Sequence, residues 1–145
     1  MQRQAGVSMI EVMVAVFVLA IGILGMTAMQ LASLRANQSA YERSAAVLSA
    51  YSMVDRLRAD LTAARAGSYN LALADTCAAP SGSSFQASQL AAWIGELQTS
   101  MGGQACGGIA CTTGTTITCV VSVRWDDSRA RGGSSNQIFS IEARL

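Results

Sequence analysis

An uncharged and almost wholly apolar run extends from Val12 to about Met29. Crossing a bilayer as a helix takes roughly 20 such residues, so this run predicts a membrane span. Beyond it, apolar residues recur at Leu31, Leu34, Tyr41, Ala45, Leu48, Tyr51, Val54, Leu57 and Leu61. Those spacings predict one apolar stripe on a helix, with Arg35, Gln38, Glu42, Arg43 and Asp55 filling the other faces. No proline falls between residues 7 and 65, and the first strong stop is Gly67-Ser68. A single helix of about 60 residues would be roughly 90 Å long at ~1.5 Å per residue. Its first half suits lipid or neighbouring helices, and its second half suits support of a small domain. Gly22 and Gly25 mark either a place to bend or a place for close helix packing.

The polarity pattern then changes. Residues 67–84 form a loop of small residues, broken most strongly at Pro80-Ser-Gly-Ser-Ser84. A second helix is predicted from about Gln86 to Met101, with Ser83 or Ser84 as N-cap and Gly102-Gly103 as stop. Leu90, Trp93, Ile94, Leu97 and Met101 share one of its faces. Trp93 is read as a core anchor against the long helix, with a subunit contact as the alternative. Ile117, Cys119, Val121, Val123 and Trp125 alternate with Thr118, Val120, Ser122 and Arg124, and Phe139, Ile141, Ala143 and Leu145 with Ser140, Glu142 and Arg144. These predict two antiparallel strands joined by the turn-rich segment 126–136, with the second strand closing the chain inside the sheet. A third, short strand is expected over Thr112 to Thr116, running back from a turn at Gly114.

The leader changes the meaning of the apolar run. Met1-Gln-Arg-Gln-Ala-Gly6 is polar, and Val7-Ser-Met-Ile-Glu11 brings one carboxylate to the edge of the apolar segment. A charge at the bilayer centre costs roughly 2.5–3.5 kcal/mol on insertion scales, so Glu11 needs a reason or a partner. A secretory signal has a shorter apolar stretch of about 7–15 residues and a small-residue cleavage site after it. A plain single-span anchor would tolerate Glu11 as an interfacial residue. The string Gly6-Val-Ser-Met-Ile-Glu11 resembles the prepilin peptidase site of type IV pilins and type II secretion pseudopilins. The resemblance implies cleavage between Gly6 and Val7, N-methylation of Val7, and an assembly role for Glu11. Val7 departs from the Phe or Met that usually opens the mature chain in that family.

Composition narrows the chemistry. The 145 residues carry a net charge of +1, with no lysine and no histidine. That balance gives no electrostatic case for a nucleic-acid partner. Without histidine the usual general base and the commonest metal ligand are missing, and without lysine a phosphate loop of the G-x-x-x-x-G-K kind cannot occur. Asp126-Asp127 reads as a turn pair capping the backbone, and Arg129 and Arg131 as solvated loop charges. Neither a catalytic residue, a metal site, a cofactor nor a small-molecule substrate is implied. Cys77, Cys106, Cys111 and Cys119 all follow the apolar run. Their even number and the lack of a C-x-x-C pair point to two disulfides. Four cysteines allow three pairings; the one favoured joins Cys111 to Cys119 across the Gly114 turn and leaves Cys77 with Cys106. Arg3 and the initiating amine give a weak positive-inside signal for a cytoplasmic N-terminus.

Tyr51-Ser-Met-Val-Asp-Arg-Leu-Arg58, Trp93 in its short helix, and Val-Arg124-Trp-Asp-Asp127 at a strand end resemble the PilV-like minor pilins. This implies an α+β, pilin-like fold: a long N-terminal helix packed on a small antiparallel sheet with a short second helix. The expected organisation is a leader (1–6), a transmembrane and polymerisation half (7–30), an amphipathic half (31–66) and a disulfide-stapled head (67–145). The expected role is a non-enzymatic subunit that helps initiate type IV pilus assembly and form the tip complex. The implied partners are the inner membrane, the prepilin peptidase, other minor pilins, the major pilin and a tip adhesin. The protein would first sit in the inner membrane, N-terminus cytoplasmic and head periplasmic, and then in the pilus. Two alternatives stay open: a minor pseudopilin of a type II secretion system, and a membrane-anchored binding module that never assembles.

Overall fold

The N-terminal three-fifths of one very long helix stands clear of the rest of the described chain. The computed structural model describes residues 6, 8–74, 77–112 and 116–145. Helix α1 runs from Met9 to Ala59, followed by a single turn, α2 (Leu61–Arg65), and by α3 (Phe85–Met101). Three strands follow, β1 (Cys106–Thr112), β2 (Thr118–Trp125) and β3 (Gln137–Arg144). They form one antiparallel sheet in the order β1-β2-β3. The architecture is α+β, with α3 and the inner face of the sheet packed against the C-terminal part of α1.

Every residue of α1 from Met9 to Gln38 is exposed. At ~1.5 Å per residue this free stretch is roughly 45 Å long. The helix passes through Gly22 and Gly25 without interruption. Its contact with the head begins at Ser39 and continues through Glu42, Ala46, Ala50, Met53, Val54 and Leu57. This face differs from the predicted stripe. Tyr41, Leu48 and Tyr51 are 64%, 71% and 51% exposed, and Leu31 and Leu34 are exposed too. Of the predicted stripe only Val54 and Leu57 are fully buried, with Ala45 packed at the margin. The reason is geometric. Residues spaced by seven drift about 20° per heptad around a straight helix. Leu48, nine residues before Leu57, therefore lies about half a turn away at ~100° per residue. Alanines on the opposite face let α3 and the sheet approach the helix closely.

Helix α1 also does not reach Arg65 unbroken. Asp60 takes a non-helical conformation (φ −128°, ψ 63°), ends α1 and caps α2, its carboxylate accepting from the Ala63 amide at 3.3 Å. The same carboxylate accepts from Gln86 Nε2 at 3.0 Å and from the Tyr69 hydroxyl at 3.4 Å. A capping aspartate thus ties together the end of α1, the loop after α2 and the first turn of α3. Helix α3 has Ser84 as N-cap and buries Leu90, Trp93, Ile94, Leu97 and Met101.

Strand β2 alternates as its sequence predicts, with Cys119, Val121, Val123 and Trp125 buried. Phe139, Ile141 and Ala143 of β3 lean on the same core, as an edge strand allows. The third strand observed lies over Cys106–Thr112, ahead of most of the expected one; residues 113–115 of the expected Thr112 to Thr116 strand, with its turn at Gly114, lie outside the described residues. The glycines of β1, which weaken its β-propensity, serve packing. A Cβ on Gly107 would overlap the Trp93 ring, and one on Gly108 would meet Leu73 at 2.8 Å. Outside β1, the Leu71 and Ile109 amides donate to each other's carbonyls at 2.9 and 2.8 Å, covering part of that edge.

Candidate functional site

The N-terminal residues form a capped helix start. Ser8 is extended (φ −76°, ψ 146°), and its Oγ and carbonyl both accept from the Glu11 amide, at 3.3 and 3.1 Å. Ser8-Met-Ile-Glu11 therefore occupies the first turn as an N-cap followed by an acid at the third position, a spacing recognisable in sequence as a capping box. An acid there also faces the positive end of the helix dipole. Sequence reasoning assigned Glu11 to assembly and overlooked this local role. Gly6 is exposed, with open space where a Cβ would stand. Val7, the expected mature N-terminus, and residues 1–5 of the leader lie outside the described residues.

From Glu11 the helix presents Val12, Phe17, Leu19, Ile23, Leu24 and Met29 in all directions, each more than half exposed. No single amphipathic face exists in this segment. Of the described helices, α1 alone is long and apolar enough to cross a membrane. A helix apolar all round is one that lies in lipid or among other helices.

Besides the Asp60 cap, the head grips the other end of α1 through four further joints. Trp93 is fully buried, and its Nε1 donates to Ser49 Oγ at 2.8 Å and to the Ser49 carbonyl at 3.2 Å. Arg56 reaches α3, bonding Glu96 at 3.0 and 3.2 Å and Gln89 at 3.4 Å. Within the Tyr51–Arg58 segment, Met53, Val54 and Leu57 enter the core, while Asp55 and Arg58 pair on the surface at 3.2 Å. The fourth joint corrects the reading of Asp126-Asp127 as one turn pair. Asp126 does cap the turn, accepting from the Ser128 amide at 2.9 Å; hydrogen bonds from the Ser128 hydroxyl and then from that amide hold its pKa below the ordinary carboxylate value. Asp127 is 2% exposed and points the other way, accepting from Ser39 Oγ at 2.9 Å and Arg43 at 3.1 Å. It joins the end of β2 to the point where α1 enters the head. Arg129 and Arg131 are exposed loop residues.

The cysteines form two bridges, Cys77–Cys106 and Cys111–Cys119. The second joins residues directly opposite in the β1–β2 register. The first pins the 67–84 loop to the start of β1. No group of three acidic or thiol side chains able to hold a metal exists among the described residues. The clefts on the head are open and shallow; the one between residues 70–73 and the outer sheet face is lined by Leu71, Leu73, Ile109 and Val120. It brings no nucleophile together with a base.

Residues 1–27 match the family model of the prokaryotic N-terminal methylation motif. No curated protein and no solved structure matches the chain. The motif, joined to a long exposed N-terminal helix and a small α+β head, supports a type IV pilin-like or pseudopilin subunit. Such leaders belong to membrane-anchored structural proteins that a prepilin peptidase processes.

Proposed function

We propose that this chain is a minor pilin, a non-enzymatic subunit that helps start type IV pilus assembly and takes its place in the tip complex. The observation that carries this reading is the conjunction of the methylation motif with α1. The motif covers residues 1–27, and directly after it the helix stays exposed on every face until Ser39. Before assembly lipid covers that stretch; after assembly the helices of other pilin subunits cover it. Cleavage falls between Gly6 and Val7, the new amine on Val7 is methylated, and the head lies on the periplasmic side. The Glu11 carboxylate then lies within about a turn of that amine, and in a helix bundle it meets its own amine or a neighbour's. An unpaired buried charge is costly, so this pairing penalises axial misregister during docking. The PilV-like segments at Tyr51–Arg58 and Arg124–Asp127 are what favour a tip subunit over the major pilin.

The test has two parts. Intact-mass measurement of the membrane-extracted protein is expected to show Val7 as the methylated first residue. A strain lacking the chain is expected to make few or no pili, and expression of the chain is expected to restore them. Normal piliation in the deletion strain, with loss of type II secretion instead, would assign the protein to a pseudopilus.

A further inference from the structure

We infer that Cys77–Cys106 is an exchangeable bridge, a site where an external thiol attacks Cys77, whereas Cys111–Cys119 is a permanent staple. The two sulfurs of the first bridge sit in unlike surroundings. Cys106 is 1% exposed at the start of β1, whereas Cys77 is partly exposed in a segment without regular structure. The guanidinium of Arg124, directly across from Cys106 in the β1–β2 register, lies 2.9 Å from Cys106 Sγ and 3.7 Å from Cys77 Sγ. The same Nη2 is held in place by the Ala74 carbonyl at 2.6 Å. Cys111–Cys119 likewise pairs a partly exposed sulfur with a fully buried one, Cys119 in the central strand, so it is the guanidinium beside Cys106 that argues for the first bridge.

In thiol–disulfide exchange a thiolate attacks one sulfur and the other departs as a thiolate; departure is faster when the leaving thiol has a low pKa. A neighbouring arginine lowers a thiol pKa. Here exposure selects Cys77 as the attacked sulfur, and Arg124 stabilises the thiolate that leaves on Cys106. The two preferences point along the same reaction. The external thiolate forms a new S–S bond to Cys77 Sγ as the Cys77–Cys106 bond breaks, and its electron pair passes to Cys106 Sγ beside the guanidinium. With a dithiol reagent, the second thiolate then attacks its own sulfur in the mixed disulfide. Cys77 is released as a thiolate that takes a proton from water, and the dithiol has been oxidised to its cyclic disulfide. The partner class is a dithiol, small or displayed on a thiol–disulfide exchange protein. Opening this bridge removes the covalent tie between the 67–84 loop and β1; Leu71 and Asn70 still bond Ile109 and Cys111, and Arg124 and Gln98 still bond the Ala74 and Cys77 carbonyls.

Dithiothreitol titration of the exported full-length protein, quenched with iodoacetamide and mapped by peptide mass, tests the inference. Cys77–Cys106 is expected to open first, leaving Cys111–Cys119 intact. Arg124→Gln is expected to slow that opening about tenfold, with Arg124→Lys intermediate, since a cation within ~4–6 Å shifts a pKa by 1–3 units. Brief exposure of the unaltered protein to glutathione, followed by an acid quench, is expected to place the mixed disulfide on Cys77. An adduct on Cys106, equal opening of both bridges, or an Arg124→Gln protein whose first bridge opens as fast as the unaltered one would overturn the proposal. The glutathione adduct keeps the test decisive even if the Arg124 variants fold poorly.

Discussion

Replacing Gly107 with alanine adds one methyl group at the point where the head is held to its helix. The new Cβ would overlap Cζ3 and Cη2 of Trp93, and the ring has no room to yield. Trp93 is 0% exposed and its Nε1 is committed to Ser49 of α1 at 2.8 Å. Overpacking in a filled core costs about 1–3 kcal/mol. If the ring shifts, the buried indole N–H loses its acceptor, a further ~1–3 kcal/mol. The sum, roughly 2–6 kcal/mol, is a large part of the ~5–15 kcal/mol that holds a whole domain. Urea unfolding of the purified full-length protein in mild detergent, followed by tryptophan fluorescence, reads this directly because Trp93 and Trp125 both lie in the core. With a urea slope of about 1–3 kcal/mol/M, mid-range values put the fall of the midpoint at about 2 M, and the smallest combination at about 0.7 M. Gly107→Ala combined with Trp93→Leu should recover part of the loss, and the double-mutant cycle should show coupling between the two sites. A midpoint within about 0.3 M of the unaltered protein would show that β1 and α3 adjust freely. Trp93 would then not be the keystone.

Asp127→Ala removes the acceptor of Ser39 and Arg43 and should destabilise the head by about 1–3 kcal/mol. The loss is limited because Arg43, with a side chain 55% exposed, can turn to water. Hydrogen exchange should quicken around residues 39–46 while α3 stays protected, and uniform quickening would count against a local latch. The pKa of Tyr69 is raised by burial and then by the Asp60 carboxylate. A raised folded-state value means its stabilisation is complete below the ordinary tyrosine pKa of about 10 and is lost as pH rises through the folded value. The urea midpoint should therefore fall in alkali, and Tyr69→Phe should flatten the fall; an identical alkaline profile in that variant would refute the assignment. Glu11→Ala should leave membrane insertion and leader cleavage intact but reduce entry into the pilus, scored by immunoblot of sheared pili. Unchanged incorporation would leave Glu11 with only its place at the positive end of the helix dipole.

The sequence by itself determined the parts whose periodicity is short-range and unambiguous. The apolar run, the Gly6–Glu11 motif, helix α3 with its Ser84 cap, and strand β2 follow from local spacing, since each side chain's environment is set by its neighbours along the chain. Tertiary structure decided which face of α1 meets the head. Leu48 and Tyr51 are as apolar as Met53 and Leu57, and periodicity alone cannot say which stripe the sheet and α3 will cover. Close approach needs small residues, and so Ala46 and Ala50 face inward while larger side chains stay outside. The same holds for β1, whose Gly107 and Gly108 make sense only once Trp93 and Leu73 are seen against them. Asp127 reads as a turn residue, and nothing local ties Arg124 to the cysteines, because their partners lie 84 to 88 and 18 to 50 residues away. A polar residue's role is fixed by what folding brings to it, and that information is not local.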